Sequence, residues 1–297
     1  MSGTIQSMTG YGNAEGMLGT HRLAVEVRSV NHRFFTPSIK LPPALTRLEA
    51  DVRELLRRHV TRGHVSLSLR IERDLTEGPR IDVARLVAYA AQLRAIPAEA
   101  GLDARIDVAS LLRLPDVVTT SFNDDDSLTS LDPAAILALV TTAITAFVRM
   151  REAEGARLAD YLLGRLVIIE ESLARLAARA PQRLVEQRDR LTAAVQELAA
   201  GVAVDPQRMA QEIAILADRV DVAEELSRFA SHNEACRAAL AAPGTEAVGK
   251  RMGFILQEMV REANTTGSKA NDAAMQRDVI VIKEELERMR EQVENLE

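Results

Sequence analysis

Asp218, Asp221, Glu225, Arg228 and His232 have the types and the spacing of a site that handles a metal ion or a phosphate. The spacing predicts one helix through all five. Successive helical residues turn by about 100°, which places them within an arc of roughly 80°. The apolar stripe of the same segment, Met209, Ile213, Leu216, Val220, Ala223 and Leu226, points the other way. A second predicted helix supplies Glu258 and Glu262 and runs into Asn264, Lys269, Asn271 and Asp272. Hard cations such as Mg²⁺ take oxygen ligands, and Mn²⁺ accepts imidazole as well. One histidine among several carboxylates therefore suits Mn²⁺ or Mg²⁺ better than structural zinc. The same charges also fit a solvated helix face, with Glu224 and Arg228 as an ordinary i,i+4 pair.

The string R-E-A-N-T-T-G-S-K-A-N-D at 261–272 adds groups suited to phosphate. Gly267 allows a turn, Ser268 is expected to cap the next helix, and Lys269 is a compact cation. Free backbone N–H groups at a helix start also attract anions. The chain has no G-x-x-x-x-G-K-[ST] nucleotide loop. The N-terminal region contributes Arg28, Asn31, His32, Arg33, Lys40, Arg62, His64 and Arg70. Cations of this kind hold a nucleic-acid backbone without reading its sequence. Tyr11, Phe34 and Phe35 are available to stack a base, with the core the expected place for Phe34 and Phe35. No Ser–His–Asp or Cys–His set suggests a nucleophile, and Cys236 is read as structural.

These residues sit in a chain of 297 with 47% hydrophobic, 27% charged and only 3% aromatic residues. The core must be built from Leu, Val, Ile and Ala, which favours helix-on-helix packing. The net charge is −6. It is unevenly spread: residues 1–73 hold 11 Lys+Arg and 6 Asp+Glu, and the remainder 26 and 37. A basic module joined to an acidic one can hold a polyanion on the first and a cation on the second. One cysteine excludes an internal disulfide. The N-terminus lacks a signal-peptide pattern, and no apolar run approaches the ~20 residues of a membrane span, so the cytoplasm is the expected compartment.

The elements that must position the site are an α+β arrangement. Residues 4–14, 21–31 and 33–41 read as strands, Pro42-Pro43 opens a helix, and 64–73 alternate as a fourth strand. The expected N-terminal module is an antiparallel βββαβ sheet. A helix is expected over 82–100 and a helical turn near Val108–Leu112. An acidic loop at Asp124–Asp126 reads as a hinge. A long helix is expected from Pro133 to Arg179, a break at Pro181, and a further helix over 183–200. The last helix carries a heptad seam, Val279, Ile282, Leu286, Met289, Val293 and Leu296, facing either this chain or another subunit. The expected domains are 1–130, which grips, and 131–297, which carries the acidic cluster and the long C-terminal helices.

Several strings together resemble the YicC/YloC family. They are S-M-T-G-Y-G at 7–12, R-S-V-N-H-R-F at 28–34, R-G-H-V at 62–65, M-R-E-A-E-G at 150–155, D-V-A-E-E-L-S-R-F-A-S-H at 221–232, and the uninterrupted stretch 249–272. The resemblance implies a cytoplasmic, Mn²⁺- or Mg²⁺-dependent endoribonuclease that works as a homo-oligomer, a hexamer. It would act on single-stranded or structured RNA, including small regulatory RNA, beside other RNA-decay enzymes. By that resemblance Glu225, His232, Glu258, Glu262 and Asp272 are metal ligands. Arg228, Arg261 and Lys269 stabilise the phosphate, Asp221 is a ligand or orients His232, Glu224 belongs to the catalytic set, and Asn264 and Asn271 touch RNA. Phe229-Ala230-Ser231 departs from the family pattern, which has a leucine and a basic residue there. Two other readings fit the residues: an RNA-binding adaptor without catalysis, and a helical scaffold.

Overall fold

The computed structural model describes residues 4–19, 21–72, 80–100, 107–114, 117–119, 131–199, 201, 205–242 and 248–297. Strands β1 (Gly10–Leu18), β2 (His21–Val30), β3 (Phe35–Lys40) and β4 (Gly63–Glu72) form one sheet in the order β1-β2-β4-β3. The period-two alternation decides its faces. Leu23, Val25 and Val27 of β2 and Val65, Leu67 and Leu69 of β4 are buried on one side. The opposite side is polar. The sheet is not wholly antiparallel as expected: β3 pairs with β4 in parallel, Phe35 opposite Gly63 and Lys40 opposite Ser68. The reason lies in the connection. A 3₁₀ turn (Pro43–Leu48) and α1 (Glu49–His59) carry the chain back across the buried face. Such a crossover returns a strand in parallel.

Short strands β5 (Arg80–Ile81) and β6 (Val118–Thr119) pair beside α2 (Val83–Ala100) and α3 (Val108–Leu111). The acidic segment 124–126 lies outside the described residues. Then α4 runs unbroken from Pro133 to Leu198. Its first turns bury Ile136, Val140, Ile144 and Phe147 in the core under the sheet. Its later turns bury Leu162, Leu166, Ile169 and Leu176 in a second core of helices. The start of α4 is apolar enough, in a helix long enough, to cross a membrane by composition and length alone. In the fold, four of its large apolar residues are buried beneath the sheet instead. Gly12 of β1 permits that contact, since a Cβ there would lie 2.3 Å from the backbone nitrogen of Phe147.

Pro181 does not end α4. An interior proline costs a helix about 3 kcal/mol, and contacts on both sides of it keep the helix in place. Arg179 pairs with Asp272 at 2.8 Å, and buried Arg183 donates to the Lys269 carbonyl at 2.8 Å.

Helices α5 (Pro206–Val220), α6 (Ala223–Ala241), α7 (Val248–Lys269) and α8 (Ala273–Val293) complete the molecule. All six residues of the heptad seam are buried, and α8 packs on α4 and α7, so the seam is satisfied within the chain.

A short pairing closes the fold. The Gln6 N–H donates to the Glu297 main-chain oxygen at 3.1 Å, and the Met8 N–H to the Asn295 carbonyl at 2.8 Å. Arg151, only 1% exposed, donates through Nε to the Ser7 carbonyl at 2.6 Å and pairs with Glu297.

Candidate functional site

The acidic helix inferred from the sequence is two helices. Asp218 belongs to α5, and the backbone at Asp221 is extended (φ −67°, ψ 129°). The Asp221 side chain accepts the Ala223 N–H at 2.9 Å, the local bond by which Asp competes with helix. Glu224, Glu225, Arg228 and His232 remain together on α6.

Helices α6 and α7 pack antiparallel. The Lys269 ammonium donates to Glu225 Oε1 at 2.7 Å near one end, and Cys236 meets Met259 sulfur to sulfur at 4.0 Å further along. On that register Glu262 falls about level with His232 and Asn233. Arg228 reaches across to Glu262 at 3.4 Å and also pairs with Glu224 on its own helix. Glu225 and Glu262 are buried, 6% and 4% exposed, which is rare for carboxylates. Buried charges need partners. Lys269 and Arg228 supply them, and both cations are held above their usual ranges. For Lys269 the main cause is the hydrogen bond to Glu225, with attraction from Asp221 and Glu224 added. For Arg228 it is the hydrogen bond to Glu262, then the charge of Glu224.

The pairing is incomplete. Glu225 Oε2, Thr266 Oγ1 and both polar atoms of the Asn233 amide are buried without a hydrogen-bond partner. The site therefore offers oxygen donors beyond those its cations use. Among the described residues, no three or more His, Cys, Asp or Glu side chains converge as a metal cluster. A divalent cation here would have the free Glu225 Oε2 as its carboxylate ligand, with water and phosphate to complete the shell. The donor set does not fit a closed zinc site. Glu258 is half-buried one turn before Glu262, with Arg261 at 4.0 Å.

Asp272 has a different place from the one expected. Its Oδ1 accepts the N–H groups of Ala274 and Met275 at 3.0 Å, and its Oδ2 accepts Arg179. It is the cap of α8. Ser268 lies inside α7, which runs on through Gly267, and the Ser268 hydroxyl donates back to the Thr265 carbonyl. Asn264 and Asn271 are exposed beside this turn. Arg179 and the two backbone bonds hold the Asp272 carboxyl down at about 2, against an ordinary value of 3.8. A depressed carboxylate stabilises the fold above its unfolded value, and that contribution disappears as pH falls through the folded one. Wild type should therefore exceed Asp272→Asn in urea resistance at about pH 5, and the gap should close between about pH 4 and 2. A gap independent of pH in urea melts would refute this.

The basic residues of the N-terminal module divide between two places. Register and alternation put Arg28, Lys40, His64 and Arg70 on the open face of the sheet. There Arg28, Lys40, Ser66 and Arg70 line a hollow of about 210 Å³. Glu26 lies between Arg28 and Arg70 at 3.3 and 3.7 Å, and the Arg28 guanidinium stacks over Tyr11 at 5.2 Å. Asn31, His32 and Arg33 form the β2–β3 loop instead, and Arg62 enters β4 beside them. Phe34 is exposed, not in the core; Phe35 packs against it. Cys236 is fully buried, and burial pushes its thiol up to about 12, consistent with a packing role.

With this geometry in view, the family relationship is direct. Residues 5–160 match the family described as "Endoribonuclease YicC-like, N-terminal region", and residues 176–297 match "Endoribonuclease YicC-like, C-terminal". The chain belongs to the YicC family. It is 34% identical over 295 residues to the "Probable endoribonuclease YicC" of Haemophilus influenzae, covering 99% of this chain and 100% of that one. It is 29% identical over 294 residues to the protein of the same name from Clostridioides difficile, covering 98% and 99%.

Proposed function

We propose that this protein is a metal-dependent endoribonuclease whose centre lies at the α6–α7 interface. The observation that carries this reading is the pair of buried carboxylates, Glu225 and Glu262, with one Glu225 oxygen unpartnered. A divalent cation, when bound, polarises phosphoryl oxygens and makes its water acidic enough to act as a nucleophile near neutral pH. Glu225, through its unpartnered Oε2, would hold one such cation, and Glu262, about two turns along the interface with His232 level with it and Glu258 one turn before it, a second. Arg228 and Lys269 sit against those carboxylates and are placed to neutralise phosphate oxygens, with Arg261 exposed beside them. The open sheet face would hold the RNA backbone by charge alone. Within this reading the substrate is single-stranded or structured RNA, including small regulatory RNA. The compartment is the cytoplasm, where that substrate is found, and the assembly is a homo-oligomer, the hexamer the family resemblance implies.

A second reading, a non-catalytic RNA adaptor, draws on one specific observation: Glu225 and Glu262 already carry cationic partners. Incubating purified protein with internally labelled RNA in EDTA, Mg²⁺ or Mn²⁺ separates the two. The nuclease reading expects internal cuts that need the cation. Binding without cuts in any metal would establish the adaptor.

A further inference from the structure

We propose that a groove between the β2–β3 loop and the α7–α8 pair binds a single-stranded RNA segment and leads it along α7 to the Glu225–Glu262 site; this rests on the nuclease reading above. The groove encloses about 550 Å³. Asn31, Arg33 and Arg62 line it from the N-terminal module, and Lys250, Gln257 and Arg290 from the helices. Both halves of the chain thus contribute cations and amides to one concave surface.

The walls are fixed before any ligand arrives. The Asn31 amide donates to the Glu294 carbonyl at 2.8 Å, and Arg62 donates to the Leu296 carbonyl at 2.8 Å. The Arg62 Nε makes no hydrogen bond, and the Glu297 carboxylate stands 3.7 Å from it. Among the described residues Arg290 pairs with a surface carboxylate, Glu287, at 3.8 Å. Exposed pairs of this kind contribute little and exchange readily for a phosphate.

Phe34 supplies the second half of the argument. It is 64% exposed in a chain with few aromatics. The guanidinium of Arg33, a groove residue, stands over its ring at 5.3 Å, and the His32 ring meets it edge-on at 6.4 Å. An exposed ring braced by a cation is a stacking platform, and only an unpaired base can reach one. The platform therefore favours a single strand over a duplex.

The helix gives the direction. Lys250, Gly253 and Gln257 recur every three or four residues on α7, and the next exposed positions of that stripe are Arg261 and Asn264. From Lys250 to Arg261 the rise is roughly 16 Å. A strand lying on the stripe arrives beside Glu258 and Glu262.

Gly253 makes the groove testable. A Cβ there would meet nothing within 4 Å, and the same holds for Gly164, an exposed position on α4 outside the groove. Gly253→Glu and Gly164→Glu change the net charge equally and keep the fold, which far-UV circular dichroism checks. The readout is anisotropy of fluorescein-labelled single-stranded RNA against the full-length protein over a range of salt, beside cleavage of the same RNA. Gly253→Glu should weaken binding about tenfold or more at low salt, and Gly164→Glu less than twofold. Arg290→Ala should reduce the salt slope by about 0.7, one single-strand phosphate contact. Phe34→Ala should weaken binding about fivefold or more without changing that slope. Equal effects of the two glutamates would overturn the groove while leaving the nuclease intact, provided wild type cleaves. A wild type that neither binds nor cuts RNA would overturn both.

Discussion

Glu225→Gln and Glu262→Gln are each expected to lower metal-dependent RNA cleavage by about a hundredfold or more, with RNA affinity changed less than about threefold. The magnitude is that of removing one group that stabilises charge in a reacting phosphate or carbonyl. Glutamine keeps the shape of the side chain while removing its charge and exchanging one acceptor oxygen for an NH2 donor. The partners left behind, Lys269 and Arg228, are 30% and 55% exposed, so solvent can receive their charge and the fold should survive. A purely structural role makes the opposite forecast. If Glu225 served only to satisfy Lys269, the variant would melt earlier and cut at the normal rate per folded molecule. Cleavage kinetics across a Mn²⁺ titration, beside a urea melt, separate the two accounts. Wild-type rates with unchanged metal dependence in both variants would remove the centre from this interface.

The burial of those two glutamates explains why the site was only partly legible in the sequence. The sequence places Asp221, Glu225 and His232 on one arc away from the apolar stripe, because charge in a sequence reads as exposure. In the fold Asp221 leaves the helix, and Glu225 turns inward because Lys269, far along the chain, meets it there. No local pattern encodes that pairing. The strands show the same division. The alternation in β4 declares its buried face, yet alternation is identical in parallel and antiparallel strands, so the direction of β3 came only from its crossover. Pro181 obeys the local rule against helix interiors until tertiary contacts at Arg179 and Arg183 outweigh it. Phe34 carried a signal that was available: adjacent residues of an extended segment face opposite sides, so Phe34 and Phe35 could not both enter the core. The heptad seam was fully legible, since a spacing of 3 and 4 needs no knowledge of its partner.

Arg151→Leu is expected to destabilise the protein by about 1–3 kcal/mol, the cost of leaving a buried hydrogen-bonding group unsatisfied. The residue falls in M-R-E-A-E-G, a string that the sequence marked by resemblance and gave no chemical role. The structure supplies one. The Arg151 guanidinium bonds the Ser7 carbonyl and Glu297, and stands 5.5 Å over the Phe147 ring. It therefore ties α4 to both members of the 6–8 and 295–297 pairing. Leucine would leave the Ser7 carbonyl without that donor, while Glu297 keeps Thr61 and Arg62 nearby. The loss should thus fall on residues 5–9 more than on Glu297. Urea denaturation gives the magnitude, and amide hydrogen exchange gives the place, with protection lost first at Gln6 and Met8. A change below about 1 kcal/mol, or exchange accelerated uniformly across the chain, would deny Arg151 this role. Because Asn31 and Arg62 hold carbonyls at 294 and 296, a loosened tail should also open the groove on α7. RNA affinity in Arg151→Leu should fall with the stability of the tail, although Arg151 itself does not line the groove.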